Sequence, residues 1–515
     1  MNAPQHASVL IVGAGPTGLT LANLLGCEGI DTLVIERNPG CVPEPRAIAI
    51  DGESLRTLQA VGLTDTVLPT LKQGFVADYI NGAGEQLFTT DLRPKPYGFC
   101  LQNSFDQPTL ERQLRAGLDR FECVQVRYST ALADFRQDGN TVTATVEPVD
   151  GDSYTLTADF LVACDGGRSS VRQALGIEMR GDRLPQKWLV VDTVDRKLTG
   201  EPECRFFCDP ARPAMTLLRP GGERRWEWML REGESDEDML SDQRISELLS
   251  PHTDPDQVQV YRRCVYGFSA VVAERFREGR IFLAGDAAHM TPPFAGQGLN
   301  AGIRDARNLS WKLAAVSAGR MPMALLNSYN LERHDAAKEI VDLAVMLGDQ
   351  IQPTDAQAAE ERDAVFAELN KDPDQAAAFG RDIIAPLFDV RLKQGWMGSD
   401  PQAGRLLPQP EVSTGGQASL LDDSLGAGFI ALNGLGTPVP DSWQQHPLWQ
   451  ALSPTEHPLE PALHDFAGPE FSSLLLIRPD RFVLATLTTD SALDTLEELH
   501  RELSAMPESP DPEGV

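Results

Sequence analysis

Near the N-terminus the run Val9-Leu10-Ile11-Val12-Gly13-Ala14-Gly15-Pro16-Thr17-Gly18 constrains this chain more than any other stretch. Its apolar first part stops at a glycine-rich turn, and apolar periodicity resumes through Leu19, Leu21, Ala22, Leu24 and Leu25. That pattern reads as strand, tight turn and helix. Gly13 permits the turn, Gly15 lets a pyrophosphate approach the backbone, and Gly18 lets the helix pack close to the strand. Pro16 and Thr17 open the helix, whose unpaired N–H groups and partial positive charge face the phosphates. A second apolar strand, Thr32 to Ile35, ends in Glu36-Arg37, which sets a carboxylate where a ribose diol donates to it. The expectation is a dinucleotide site; the plainer reading of a bare GxGxxG is an ordinary βαβ turn.

With 515 residues the chain has room for two or three domains. A net charge of −30 argues against non-specific nucleic-acid binding, because phosphates are repelled. No apolar run approaches the ~20 residues of a membrane span. Residues 1–8 lack the basic-then-apolar layout of a secretion signal, so a cytoplasmic protein is expected. The cysteines lie between Cys27 and Cys264 without a CxxC pair, and the histidines form no HExxH or HxH cluster. Reduced thiols and no metal site are expected.

Two further strands end in acidic glycine turns. Phe160 to Ala163 runs into Cys164-Asp165-Gly166-Gly167 and then a helix through Val171 and Leu175. Arg280 to Ala284 runs into Gly285-Asp286-Ala287-Ala288-His289, a loop through Pro292 and Pro293, and a helix from Leu299 to Val316. Turns at the carboxyl ends of strands are where open α/β sheets bind ligands. Asp286 is placed for sugar or ribityl hydroxyls, and Gly296 to Asn300 form a helix start that offers N–H groups to a phosphate or an electron-rich ring. His289 reads as a base or as a brace of the Gly-Asp turn. Arg46, just past the second strand, reads as a partner of the pyrophosphate or as a solvated loop arginine. Gln107-Pro108 opens a helix striped by Leu110, Leu114 and Leu118. Strands over 123–128, 141–147 and 153–157 are expected to form an antiparallel meander.

Residues 181–268 change character. Strands around Trp188, Cys204, Ala214 and Arg225-Trp226-Glu227-Trp228 are expected to form one antiparallel sheet, the substrate domain. Trp226 and Trp228 share one face, Arg225 and Glu227 the other. The tryptophans either pack the sheet core or roof an aromatic pocket. The fold class is therefore α/β, with a nucleotide-binding domain over 1–180 and 269–395, the sheet domain inserted between, and a separate module over 396–515. Residues 508–515 are expected to be disordered.

The set of three strand-turn-helix sites resembles the single-component FAD-dependent aromatic hydroxylases, over roughly residues 8–345. Pro45-Arg46-Ala47-Ile48, Cys164 to Gly167, Gly285 to His289, Gly296 to Asn300 and Arg304-Asp305-Ala306 are similar to the 3-(3-hydroxyphenyl)propionate hydroxylase branch. The resemblance implies a glutathione-reductase-like Rossmann domain in which Gly13, Gly15, Gly18 and Glu36 hold the ADP half of FAD. Arg46 and Gln107 contact the flavin, Asp165 and Gly166 serve both FAD and NAD(P)H, Gly285 and Asp286 take the ribityl chain, and Gly298, Leu299 and Asn300 take the ring edge. It also implies the reaction: NADH or NADPH, bound transiently, reduces FAD, and a flavin hydroperoxide then transfers oxygen from O2 to a phenolic aromatic. Backbone groups around Pro293 and Gly296 stabilise the peroxide. Tyr266 and His289 are the candidates for proton transfer, and Arg225 reads as a partner of a substrate carboxylate or as a solvated strand arginine. The C-terminal module resembles a thioredoxin-like domain, but it has no cysteine and so cannot be a dithiol centre; it is expected to be a packing or homodimer surface. Two other functions fit the same motifs: oxygenation of a polycyclic polyketide or quinone, and a flavin-binding scaffold or sensor without turnover.

Overall fold

The computed structural model describes residues 6–506, apart from 42, 44, 195–202, 389, 415–416 and 469–470; the disorder expected over 508–515 lies outside the described residues. The first sheet is built on β1 (His6–Val12), followed by the helix α1 (Pro16–Cys27) and β2 (Thr32–Ile35). A longer strand, β3 (Tyr154–Ala163), lies along the other side of β1, and Ile281–Leu283 lies beyond it. All four run parallel, with Val12 beside both Ile35 and Ala163, and Ala163 beside Leu283. Val9, Leu10 and Ile11 are fully buried, as strands covered on both faces require. Because the strands are parallel and in register, the glycine turn, Glu36, Asp165 and Asp286 all emerge at one edge of the sheet.

The meander differs from expectation. Val124–Arg127 pairs parallel with β2, and the helix Gln107–Gly117 lies in the crossover connection that parallel pairing needs. The meander is instead Thr130–Gln137, Val142–Pro148 and β3. β3 also merges two strands expected separately: its first half pairs antiparallel with Val142–Pro148, its second half parallel with β1.

The second sheet stands over the carboxyl edge of the first. Its long strands are β4 (Met179–Val194), β5 (Glu223–Met229) and β6 (Gln259–Ala273), in the order β6-β4-β5. It continues through Ala214–Leu218 and Cys204–Cys208 to Val76–Asn81 and Gln86–Asp91, and His289–Met290 closes the other edge. The sheet thus recruits strands from before residue 181 and after residue 268. Two long helices, α2 (Gly298–Ser317) and α3 (Asn327–Ile351), follow. α2 packs on α1 so closely that a Cβ on Gly302 would lie 2.3 Å from Thr17 Oγ1. The C-terminal part holds a four-stranded sheet, in the order Thr455–Pro458, Ile430–Asn433, Leu474–Ile477, Val483–Leu487, against the helix Ala492–Ala505. Its core reaches α2 through Trp311, whose ring meets Phe429 edge-on at 5.5 Å.

Candidate active site

A cleft of about 400 Å³ runs along the carboxyl edge of the first sheet. Gly13, Gly15, Pro16, Thr17, Glu36, Arg37, Arg46, Gln107, Asp165, Gly166, Asp286, Gly298 and Leu299 all line it. Gly13 has φ +108°, and a Cβ there would lie 2.3 Å from the Cys164 carbonyl oxygen. Gly18 faces inward, where a Cβ would meet the Gly13 carbonyl at 2.1 Å. At Gly15 no atom lies within 4 Å of the Cβ position. So Gly13 and Gly18 shape the turn, and Gly15 leaves the space in front of it. Neither α1 nor α2 has a side-chain cap on its N-terminus, so both helices direct first-turn N–H groups and dipole at the cleft.

Glu36 accepts a hydrogen bond from the Ala14 N–H at 2.9 Å and from Asn38, which fixes its carboxylate at the cleft wall. Asp165 Oδ2 accepts from the Ser170 N–H at 2.8 Å, while Oδ1 is buried without a partner among the described residues. Asp286 is exposed to the cleft, and the protein mass around it desolvates its carboxyl and raises it above the ordinary range. Gln107 accepts from the Ala47 N–H at 2.7 Å and donates to Glu111 at 2.7 Å, which ties the Arg46 loop to the helix. The donor set, the open Gly15 face and the orphan Asp165 oxygen fit an extended dinucleotide with phosphates at the helix ends and hydroxyls at the carboxylates.

The other expected residues act one step back. Gly285, at φ +61°, donates its N–H to Asp305 at 2.9 Å and so turns Asp286 outward. Asn300 spends its side chain on the loops: Oδ1 accepts from the Asp51 N–H at 3.0 Å and Ser54, and Nδ2 donates to the Gly296 carbonyl at 2.8 Å. His289 is buried, with Nε2 2.8 Å from Asp305 Oδ2, and braces the Gly-Asp turn without lining the cleft. Asp305, which also accepts from Arg333 at 2.8 Å, is held down at about 2 by these partners against its burial. Tyr266 lies across from Trp188 on β6, and its hydroxyl is 3.3 Å from Arg262 Nη2. Burial raises its phenol above the usual value.

A second cavity of about 180 Å³ adjoins the first, sharing Arg46, Ala47, Gly298 and Leu299 with it. Pro293, Phe294 and Gly296 form one wall; Trp188, Phe206, Met215, Arg225 and Glu227 of the second sheet form the other. Two substrate expectations are corrected here. Trp226 and Trp228 lie on the opposite face of β5, stacked at 6.0 Å on each other and packed on Met239, Ile245 and Leu249. Arg225 reaches the cavity but is already engaged. It donates to Asp192 at 2.7 and 2.8 Å and to the carbonyls of Arg46 at 2.8 Å and Pro45 at 2.6 Å. A substrate carboxylate would have to displace those partners; Arg225 instead fastens the Arg46 loop to the sheet. Glu227, on the same face of β5 as Arg225, is the carboxylate that this strand adds to the cavity.

The chain is similar to known proteins in sequence and in fold. The profile of the family described as FAD binding domain matches residues 6–344. The chain is 35% identical to a 3-(3-hydroxy-phenyl)propionate/3-hydroxycinnamic acid hydroxylase of Comamonas testosteroni, over 98% of this chain and 99% of the relative. Among solved structures, it is similar to aklavinone-11 hydroxylase in a ternary complex with FAD and aklavinone. The TM-score is 0.79 at 28% identity, covering 98% of this chain and all of the other. The flavin-dependent monooxygenase PieE, in complex with FAD and substrate, shares the fold with a TM-score of 0.81 at 23% identity, covering 98% of this chain and 100% of PieE.

Proposed function

This chain belongs to the FAD binding domain family and is an FAD-dependent monooxygenase, and from that premise we propose that it hydroxylates a small phenolic aromatic acid of the 3-(3-hydroxyphenyl)propionate type. One observation carries the reading: the three glycine-acid turns line a single cleft, and that cleft opens into a cavity walled by aromatic and aliphatic side chains. The name and near-complete overlap of the Comamonas relative support the substrate class. FAD, when bound, carries electrons from NADH or NADPH to O2. The chain's part is to hold the cofactor and the substrate. Glu36 and Asp286 receive hydroxyls, the α1 and α2 N-termini face anionic groups, and Asp165 stands ready for either nucleotide. The Pro293–Phe294 turn and Trp188 enclose the ring and exclude water.

The finer architecture follows the same reading. The second sheet is the substrate domain of a glutathione-reductase-like flavoprotein. The C-terminal module is thioredoxin-like, a reading supported by its strand order, in which the first strand lies between the second and third. All eight cysteines are free thiols, and no helix among the described residues is long and apolar enough to cross a membrane; both fit a cytoplasmic enzyme. A homodimer through the module is part of this proposal.

The test is stoichiometric. The purified protein takes up FAD, and with 3-(3-hydroxyphenyl)propionate it consumes about one NADH or NADPH per hydroxylated product. Cofactor uptake without product from any monohydroxylated phenylpropanoid would overturn the substrate assignment.

A further inference from the structure

A phenol becomes reactive toward an electrophilic oxygen atom as it loses its proton, so a hydroxylase cavity needs a group to take that proton. Tyr266 and His289 do not line the cavity, and His289 is committed to Asp305. Glu227 does line it, between Val190 and Met215 in the sheet register, and the Pro293–Phe294 turn lines the same cavity. It is 7% exposed, and the nearest cation, Arg225 Nη1, stands 3.9 Å from its Oε1. Among the described residues nothing donates a hydrogen bond to its carboxyl. A buried carboxyl without a donor is costly unless a ligand brings one. The cavity wall also holds Trp188 Nε1, Thr291 Oγ1 and Gln297 Nε2, each buried without a partner among the described residues.

The charged and titratable groups around Glu227 are Arg225 on its own strand, Asp192 on β4, Arg262 and Tyr266 on β6, and Arg46 on the facing loop. Desolvation, with Asp192 adding to it and Arg225 and Arg262 opposing, pushes the Glu227 carboxyl up to about 6. It is therefore ionised at neutral pH and a better base than an ordinary carboxylate.

Resting on the hydroxylase reading, we propose that Glu227 is the catalytic residue that accepts the phenolic proton of the substrate. The phenolic O–H bond breaks toward Glu227, and its electron pair enters the ring. At the same time a C–O bond forms at an ortho or para carbon as the O–O bond of the two-electron-reduced dioxygen breaks. The hydride comes from NAD(P)H and one proton from solvent, so that one oxygen atom enters the ring as hydroxyl and the other leaves as water. The dienone so formed loses the proton on the new C–O carbon to water. Glu227 returns its proton to the carbonyl oxygen, and the ring is aromatic again.

Glu227→Gln keeps the side chain's shape and removes the base, which typically costs ~10²–10⁴-fold where proton transfer limits the step. For the holoenzyme we expect product formation from an unactivated phenol to fall by about 100-fold. The loss should shrink steadily along a series of ring-substituted phenols as their pKa falls. The wild-type profile of product formation should rise through pH of about 6, and the variant should lack that limb. A second readout needs no turnover: absorbance titration of 4-nitrophenol bound in the cavity. The wild-type carboxylate should keep the bound probe protonated to higher pH than Glu227→Gln does. The proposal is overturned if the variant stays within about twofold of wild type across the series, or if the bound probe titrates alike in both. If the wild type hydroxylates none of the phenols, the reading of the reaction fails, and the probe titration still decides whether Glu227 faces a phenolic hydroxyl.

Discussion

Glycines at positions 13, 15 and 18 look equivalent in a motif but differ in what a methyl group would meet. At Gly18 it would drive into the Gly13 carbonyl at 2.1 Å, a backbone atom that cannot swing aside. At Gly15 it would enter open space in front of the turn. Gly18→Ala should therefore destabilise the fold by ~1–3 kcal/mol, the usual cost of overpacking, and take flavin binding down with it. Gly15→Ala should leave the melting temperature of the flavin-free protein unchanged within a degree or so, yet weaken FAD by ~10-fold or more, because the backbone can no longer approach a phosphate. Apoprotein melting and flavin titration of the two variants separate these outcomes. If Gly15→Ala destabilises the apoprotein as much as Gly18→Ala, the division between shape and access is wrong. Such local features were legible in the sequence because strand, turn and helix are contiguous there. The same holds for Glu36, Asp165 and Asp286, each at a strand end. The role of Arg225 was not legible, since its partners Pro45, Arg46 and Asp192 lie elsewhere in the chain. Alternation also paired Glu227 with Arg225 on one face, but a period of two does not say which face meets the cofactor.

At the scale of elements, what the sequence hid was pairing. Val124–Arg127 reads as one more strand of a local meander, but the preceding helix commits it to a parallel partner far upstream. Val76–Asn81 and Gln86–Asp91 join a sheet whose other strands begin about a hundred residues later, which local periodicity cannot reveal. The joint between α2, α3 and the C-terminal hairpin is another long-range product. Glu332 on α3 accepts from Lys312 on α2 at 2.7 Å and from Arg478 at the hairpin at 2.6 Å; Arg478 also donates to Asp480 at 2.7 Å. All four are essentially buried, so burial lowers the Lys312 ammonium to about 8, while the two cations hold Glu332 at about 2. Removing one charge strands the others. Glu332→Gln should cost ~3–5 kcal/mol in denaturant unfolding. Glu332→Gln with Arg478→Met should cost less than the sum of the two single changes, because they share one network. Additive losses, or a single-variant cost below about 1 kcal/mol, would mean that the cluster does not couple the three elements.

For the molecule as a whole, these contacts tie the C-terminal module to the helices behind the cleft. It carries no cysteine, and none of its described residues lines either cavity. Its contacts cover apolar and charged groups of the flavin fold. Phe429 and Trp396 lie against Trp311 of α2, and Leu325 is buried in the same cluster. Asp422 takes a two-pronged ion pair from Arg56, at 2.8 Å on both oxygens, and Gln409 donates to the Tyr97 carbonyl at 2.7 Å. Arg56 sits on the helix Gly52–Ala60, whose first turn Asn300 binds through Ser54, so the module buttresses the wall behind the Gly296 loop. A chain ended at residue 395 would expose Trp311 and Leu325, take Asp422 and the Leu407 carbonyl from Arg56, and take Arg478 from Glu332, which would keep only Lys312 and Asn308 among the described residues. An apolar patch of that kind is an aggregation liability, and unpaired buried charges are costly. The truncated chain should therefore accumulate as insoluble protein, and any soluble fraction should hold FAD weakly, as measured by the flavin-to-protein ratio after gel filtration. A soluble 1–395 fragment that retains stoichiometric FAD would show that the flavin fold closes without the module, and the buttress argument would fail with it.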